Sequence, residues 1–337
     1  MAVTDTGTSP DMTILPLERP LDARPRIGVS SCLLGAPVRY NGGHSRHRFL
    51  TDTLDPFVDW KPVCPEAEIG LGTPRETLRL ENSDIGPRAV ATKSGTDHTD
   101  ALAAVADRHL RSLRELDGYV LKNRSPSCGL FGMPVFEDTR RVEGKGRGVF
   151  AARLTELCPE LPVEEQGRLS DPGLREHFVE RVFARARLRA LFAEGWRPRD
   201  LIAFHSRHKF QLMAHQPDGY RRTGRIVAKA GTDDPERIEA DYTQAFVAAM
   251  EHKASPGKHV NVLQHVLGMV GPRLDDVRRH DILEAIRGYR AGHLPLSVPI
   301  HLLRHHCAAE RVVWAREQTY LAPYPDELSL RNTVIPA

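Results

Sequence analysis

This chain of 337 residues lacks long apolar runs, a regular cysteine framework and a strong charge of either sign. No segment approaches the roughly 18 consecutive apolar residues of a membrane helix, so the sequence predicts no membrane span. The five cysteines are odd in number and irregular in spacing, which argues against a secreted disulfide scaffold. The N-terminus has no apolar segment typical of a secretory signal, and we therefore expect a cytoplasmic protein.

The charge is nearly balanced overall but unevenly distributed along the chain. The formal net charge is +3 and the isoelectric point is near 8.6, which is compatible with nucleic-acid binding without indicating it. Residues 161–337 hold 26 Lys and Arg against 22 Asp and Glu, and they carry 12 of the 16 histidines. The length suggests two domains or one large one.

Three of the cysteines stand at similar places in the sequence. Cys32, Cys64 and Cys128 each follow a brief apolar run that predicts a short buried strand. The loops after the carboxyl ends of parallel strands gather in one crevice, so the three thiols are expected to meet there, as a metal cluster requires. The alternative is that they are small buried hydrophobic residues. Cys158 and Cys307 lie in helix-like contexts and are predicted to be ordinary core or surface cysteines.

The order of elements predicts the fold class. Strands and helices alternate up to residue 160, which favours an α/β N-terminal domain, Rossmann-like with a mainly parallel sheet. Helical periodicity dominates beyond a segment rich in Pro, Gly and Glu, which predicts an all-α C-terminal domain. The predicted division is a mobile tail, an α/β domain, a linker and a helical domain: 1–20, 21–160, 161–174 and 175–337.

Two charged segments carry further predictions. The loop from Glu68 to Glu81 forms either a wall of a substrate site or a solvated surface. In the helical half, four basic residues close in sequence predict a surface for nucleic-acid phosphates, with a solvated helix face as the alternative: Arg207, Lys209, Arg221 and Arg225. The histidines of the same stretch have no carboxylate or cysteine at ligand spacing, which argues against a metal site.

The motifs in combination resemble the thiouracil desulfurase family. They are Cys-Leu-Leu-Gly at 32–35 with Val-Arg-Tyr-Asn-Gly-Gly at 38–43, Cys-Pro-Glu at 64–66, and Ser-Pro-Ser-Cys-Gly at 125–129. The helical half resembles the domain fused to this family in bacterial tRNA 4-thiouridine desulfidases, through residues 204–215, 261–265 and 323–332. Asn41 departs from the family pattern, in which Asp is commoner.

The resemblance implies a [4Fe-4S] cluster held by Cys32, Cys64 and Cys128, with a fourth iron open to a substrate sulfur. It also places the family's acid/base glutamate on Glu66 and its catalytic serine on Ser125. Glu66 follows a candidate ligand by two residues and cannot be far from the cluster. A serine hydroxyl can relay a proton or hold polar atoms of the substrate ring.

The implied reaction is the non-redox desulfuration of 4-thiouridine in tRNA to uridine, with release of sulfide. One alternative is the same chemistry on free thiolated bases or nucleosides such as thiouracil. An enzyme for such small molecules would need no helical domain with an excess of positive charge. Another is a redox-sensing RNA-binding protein with a structural cluster. A closed set of four cysteines would favour the sensor, but only three cysteines lie in suitable loops.

Overall fold

The computed structural model describes residues 24–137, 140–142, 146–193 and 195–334, so the predicted tail over 1–20 lies outside the described residues. The strands are β1 Arg26–Ser30, β2 Asp59–Val63, β3 Leu78–Glu81, β4 Arg88–Ala91, β5 Gly118–Leu121, β6 Val135–Glu137, β7 Arg140–Arg141 and β8 Val163–Glu165. The α-helices are α1 Pro65–Glu68, α2 Thr99–Arg114, α3 Val149–Leu157, α4 Pro172–Phe192, α5 Pro198–His215, α6 Pro217–Val227, α7 Pro235–Met250, α8 Pro256–Val270, α9 Asp276–Arg290, α10 Ser297–Ala309 and α11 Val313–Arg316.

A four-stranded parallel sheet with the order β2-β1-β5-β8 organises the N-terminal half. Parallel strands need covered faces, and helices cover both faces here. Side chains of α2 and α3 pack on the face that carries Tyr119 and Leu121, whereas α4 packs on the face that carries Ile27, Val29 and Val120. The result is a three-layer α/β/α sandwich, and the predicted fold class is confirmed.

The covering helix α4 lies unusually close to the sheet. A Cβ atom added to Gly118 on β5 would come within 2.6 Å of Val182 Cγ2 on α4, a distance that real Cβ contacts do not show. Glycine at this position therefore lets the helix seat its apolar face directly on the strand. The helix that begins the predicted all-α region is thus also the outer layer of the α/β sandwich.

A second, smaller sheet with the order β4-β3-β6-β7 was not predicted from the sequence. Its strands have only two to four residues and carry many charged side chains, so period-two alternation is too short to detect. The pairs β3–β4 and β6–β7 are antiparallel, and β3 and β6 are parallel. This sheet positions the segment between β2 and β3, which contributes to the candidate site below.

The segment predicted as a linker, residues 161–174, contains β8 and the start of α4. Strand β8 pairs with β5 and completes the parallel sheet. Two of its three residues are Glu164 and Glu165. Because these residues are charged, the sequence gives no apolar pattern that would indicate a buried strand. This segment is therefore part of the sandwich. The other domain limits proposed from the sequence stay predictions.

Within the described residues that follow α4, the fold is helical and contains no strand. Apolar spacing in the sequence predicts helices over 172–194, 200–215, 235–253, 258–270, 275–290 and 297–320. The first five correspond to α4, α5, α7, α8 and α9, the last is interrupted after α10, and α6 was not predicted. The last described residues return to the α/β part: Tyr324 and Leu328 pack in the same apolar cluster as Ile27 and Val29. Among the described residues, no helix combines the length and apolarity needed to span a membrane.

Candidate active site

The three predicted cysteines follow three neighbouring parallel strands and lie at one edge of the sheet. Cys32 follows β1, Cys64 follows β2, and Cys128 lies in the loop after β5. Burial raises the pKa of Cys32, and the neighbouring Cys64 raises it further. Burial also raises the pKa of Cys128, to which Cys64 and Cys32 add. The thiols are therefore close enough to influence one another, whereas Cys158 lies apart from them near arginines.

Each cysteine stands where the local backbone changes direction. Cys32 lies in a 3₁₀ turn that ends at Gly35, whose φ of 100° is in the region that favours glycine. Cys64 is the extended residue that caps α1, and Pro65 starts that helix with a preset φ. The turn chemistry next to each cysteine thus fixes the direction in which each thiol leaves its strand.

The three cysteines are chemically suited to an iron–sulfur cluster, whose irons take thiolate ligands. Among the described residues, no group of three or more His, Cys, Asp or Glu side chains has the arrangement that holds one ion. A four-iron cluster binds its cysteines at different irons, so its ligands stand further apart than those of one ion. The raised pKa values also mean that these buried thiols need a positive partner to become thiolates. Three neighbouring thiols therefore fit the chemistry of such a cluster.

The loop that carries Cys128 is held by its own serine and by the start of α3. Ser125 Oγ accepts hydrogen bonds from the backbone N–H groups of Ser127 and Cys128, at 3.3 and 3.1 Å. Val149 N–H donates to the Pro126 carbonyl at 2.9 Å. Ser125, which the sequence predicted as catalytic, therefore also fixes the shape of the cysteine loop; its catalytic role stays a prediction.

A glycine that the sequence analysis did not assign to the site allows this loop to lie close to α3. A Cβ atom on Gly148 would come within 2.6 Å of the Ser127 backbone and within 2.8 Å of Cys128 N. Gly148 N–H also donates to the Gly129 carbonyl at 2.6 Å. Any larger residue at 148 would push the cysteine loop away from the helix.

Glu66, the predicted acid/base residue, is held on both carboxylate oxygens. Its Oε2 accepts from Arg75 Nη2 at 2.6 Å and from Arg75 Nε at 2.8 Å, and its Oε1 accepts from Ser127 Oγ at 2.8 Å. The side chains are largely buried, with 7% of Arg75 and 15% of Glu66 exposed. The carboxylate is thus fixed beside two cysteines by one cation and one hydroxyl.

Arg75 and Ser127 are site residues that the sequence analysis missed. Arg75 lies in the charged loop whose role was left open, and its guanidinium points inward to Glu66 and to the Val38 carbonyl at 3.0 Å. Ser127 is fully buried. The sequence held a weak signal for both: an arginine in a loop beside a candidate site, and a second serine in the same motif. The loop therefore contributes to the site wall at Arg75.

Charged and amide side chains at the ends of β5 and β8 support the loop from the other side. Glu165 Oε1 accepts from the backbone N–H groups of Leu130 and Phe131, at 2.6 and 3.1 Å. Gln166 exchanges two hydrogen bonds of 2.6 Å with Asn123. Lys122, at the end of β5, donates to Asn123 Oδ1 at 2.7 Å and lowers the pKa of Cys32. The fourth strand thus positions the segment that carries Cys128.

The predicted RNA-binding residues lie on two adjacent helices away from these loops. Arg207, Arg221 and Arg225 are exposed. Lys209 is half-buried, with its ammonium 5.5 Å from the ring centroid of Trp314. Arg221 forms an ion pair with Asp218 of its own helix. Their role in RNA binding stays a prediction.

Two histidines of the same stretch, His205 and His215, are buried and have protein partners at Nδ1. His205 Nδ1 lies 3.2 Å from the Tyr242 hydroxyl, and His215 Nδ1 lies 2.6 Å from the His252 carbonyl. Burial lowers the pKa of His205 to about 4. These side chains belong to the core of the helical half.

Comparisons with known proteins match two parts of the chain to different families. Residues 27–166 match the 2-thiouracil desulfurase family, and residues 209–325 match a family described as a protein of unknown function, DUF1722. Over 154 residues the chain is 32% identical to the uncharacterized protein YbgA of Escherichia coli (strain K12), which spans 45% of this chain and 91% of YbgA. The chain belongs to the 2-thiouracil desulfurase family. The resemblance inferred from the motifs is thereby confirmed.

Two further proteins are similar to this family member. The uncharacterized protein YbbK of Bacillus subtilis (strain 168) is 35% identical over 113 residues, which cover 31% of this chain and 72% of YbbK. A solved structure, the [4Fe-4S]-dependent thiouracil desulfidase TudS, is 28% identical and covers 45% of this chain and 97% of its own. The TM-score for TudS is 0.37, so this superposition carries no structural argument.

Proposed function

We propose that this protein is an iron–sulfur-dependent desulfidase that removes sulfur from thiolated nucleobases, with 4-thiouridine in tRNA as its substrate. The observation that carries the proposal is the meeting of Cys32, Cys64 and Cys128 at the carboxyl edge of three adjacent parallel strands. Membership of the 2-thiouracil desulfurase family supports the same reaction class. The cluster would be held by these three cysteines.

A bound [4Fe-4S] cluster with three cysteine ligands supplies an iron that has no protein ligand and acts as a Lewis acid toward a substrate sulfur. The overall change replaces the C=S sulfur by a water oxygen, releases sulfide and transfers no electrons. The remaining work is proton transfer and orientation, which falls to side chains of the chain itself.

In this proposal Glu66 accepts a proton from the attacking water. Arg75 holds Oε2, so Oε1 is the oxygen that can exchange a partner for water. Ser127 now donates to Oε1 and can turn its hydroxyl toward an incoming water or substrate oxygen. A fixed carboxylate of this kind provides general base catalysis without a cost in reorganisation.

The choice of tRNA as substrate rests on the helical half. That half carries the positive excess of the chain and exposes Arg207, Arg221 and Arg225 on two neighbouring helices. Exposed guanidinium groups bind phosphates with little regard to base sequence. A free thiobase has no phosphate and gains nothing from such a surface, so free bases are the alternative that the test must separate.

The test is a comparison of substrates on the anaerobically purified, iron-loaded protein. We expect sulfide release from tRNA that contains 4-thiouridine, with a kcat/KM that exceeds that for free 4-thiouridine and for thiouracil. The advantage of tRNA should shrink as salt rises, because phosphate contacts release counterions. Equal kcat/KM values for tRNA and free thiobases would assign the enzyme to free bases, and absent sulfide release from all three would end the proposal.

A further inference from the structure

A cleft of about 1140 Å³ lies apart from the cysteine loops. Residues of α4, α5, α10 and the C-terminal segment line it, together with Phe57. Phe57 precedes β2 and Cys64 follows it, so the two stand at opposite ends of a strand of five residues, which spans about 16 Å. The cleft is therefore separate from the cysteine loops and lies toward the amino-terminal end of β2.

The wall of the cleft contains a buried hydrogen-bonding atom without a partner. His208 is 2% exposed, and its ring stacks on Phe204 with 3.9 Å between ring centroids. Its Nδ1 lies 2.8 Å from the Phe204 carbonyl. A carbonyl only accepts, so Nδ1 carries the proton and Nε2 is an acceptor. Nε2 is buried and has no hydrogen-bond partner among the described residues, which in a native protein needs an explanation.

The surroundings keep this histidine neutral. Burial lowers its pKa to about 3, and the charges of Arg187 and Arg207 contribute in the same direction. Near neutral pH the ring thus presents a lone pair at Nε2, which can bind only a ligand that donates an N–H or O–H group. A ligand at His208 Nε2 must therefore donate a hydrogen bond. The guanidinium groups of Arg187 and Arg207 favour a ligand that also carries negative charge.

The charges that line the cleft leave one arginine available. Arg207 is exposed and forms no ion pair or hydrogen bond with any residue of the described ranges. Four carboxylates also line the cleft. Asp326 pairs with Arg304 at 2.7 Å and Asp200 pairs with Arg197 at 3.0 Å, and the other two are Glu317 and Glu327. Arg207 is therefore the cation with which an incoming anion can pair, against the negative charge of Glu317 and Glu327.

A hydroxyl donor close to an anionic group is the chemistry of a ribonucleotide. The ribose 2′-hydroxyl donates hydrogen bonds, distinguishes RNA from DNA and lies next to the backbone phosphate. We propose that the cleft binds a ribonucleotide unit of the RNA substrate, with its phosphate at Arg207 and its ribose hydroxyl donating to His208 Nε2. This inference rests on the proposed function, and it locates a contact with RNA remote from the reacting base.

The test measures binding of short RNA and DNA strands of the same sequence to the iron-loaded full chain by fluorescence anisotropy. Arg207→Ala should weaken binding of both strands about tenfold. His208→Phe keeps the stacked ring and should weaken only RNA binding, about fivefold, so that the preference for RNA disappears. Arg237→Ala and His205→Phe are matched controls, because they remove an exposed arginine and a buried histidine outside the cleft.

The outcomes separate this inference from the proposed function. Suppose that the wild type binds tRNA and that His208→Phe and His205→Phe have the same ratio of RNA to DNA affinity. The cleft is then not the ribonucleotide site, but tRNA remains the proposed substrate. If the wild type releases sulfide from free 4-thiouridine but binds no tRNA, the tRNA substrate fails. The cleft is then decided with uridine 5′-monophosphate: binding that Arg207→Ala weakens supports a ribonucleotide site, and absent binding overturns it.

Discussion

Removal of the Arg75 guanidinium should destabilise the protein far more than removal of a surface arginine. Arg75 binds Glu66 Oε2 through two nitrogens and the Val38 carbonyl through one of them, and only 7% of its side chain is exposed. Breaking a buried pair on one side costs about 3–5 kcal/mol of unfolding free energy. Glu66 retains some contact with solvent, so we expect about 3 kcal/mol for Arg75→Met, at the lower end of that range.

The matched experiment is a double-mutant cycle. Glu66→Met alone leaves a buried guanidinium without its anion and should also cost about 3 kcal/mol. The double variant removes both charges and leaves mainly the Ser127 hydroxyl and the Val38 carbonyl without partners, roughly 2 kcal/mol in total. The double variant should therefore be destabilised by about 4 kcal/mol less than the sum of the single variants.

The assay is thermal unfolding of the iron-loaded protein under anaerobic conditions, followed by circular dichroism. A loss of about 3 kcal/mol should lower the midpoint by roughly 5 °C. Arg24→Met is the control: its ion pair with Asp59 is about half exposed on both sides, and its loss should cost less than about 1 kcal/mol. Additive effects of the Glu66 and Arg75 substitutions would refute the pairing on which the positioning of Glu66 depends.

The other predictions concern the cluster, the proton transfer and the response to pH. Alanine at any of the three candidate cluster cysteines should remove bound iron and visible absorption, whereas Cys158→Ala and Cys307→Ala should retain both. Glu66→Gln should keep its iron and lose about 10²–10⁴-fold in turnover, and Ser127→Ala about tenfold; loss of iron in Glu66→Gln would assign it a structural role instead. Burial lowers the pKa of His259 to about 3 from its ordinary 6.5. The neutral ring therefore contributes stability above pH 6.5 that is lost as the pH falls toward 3, and the decline of the unfolding midpoint over this interval should be shallower in His259→Phe.

Local patterns predicted those parts of the molecule whose structure depends on neighbours in the sequence. The periodic spacing of apolar residues predicted most helices from α4 onward within a few residues of their observed limits. The apolar runs before Cys32, Cys64 and Cys128 indicate strands, and the ends of neighbouring parallel strands meet at one edge of a sheet. These inferences need only the spacing of apolar side chains and the turn-forming residues, both of which can be read from consecutive positions of the sequence.

Contacts between distant segments were not accessible in the same way. Strand β8 is three residues long and polar, so its place in the sheet depends on pairing with β5, not on its own pattern. Arg75 looks like any charged loop residue until the fold brings it to Glu66, and the orphan nitrogen of His208 exists only because α5 packs beside a cleft. Burial and hydrogen bonding between remote residues are properties of the packed chain, because each needs a partner that local sequence does not specify.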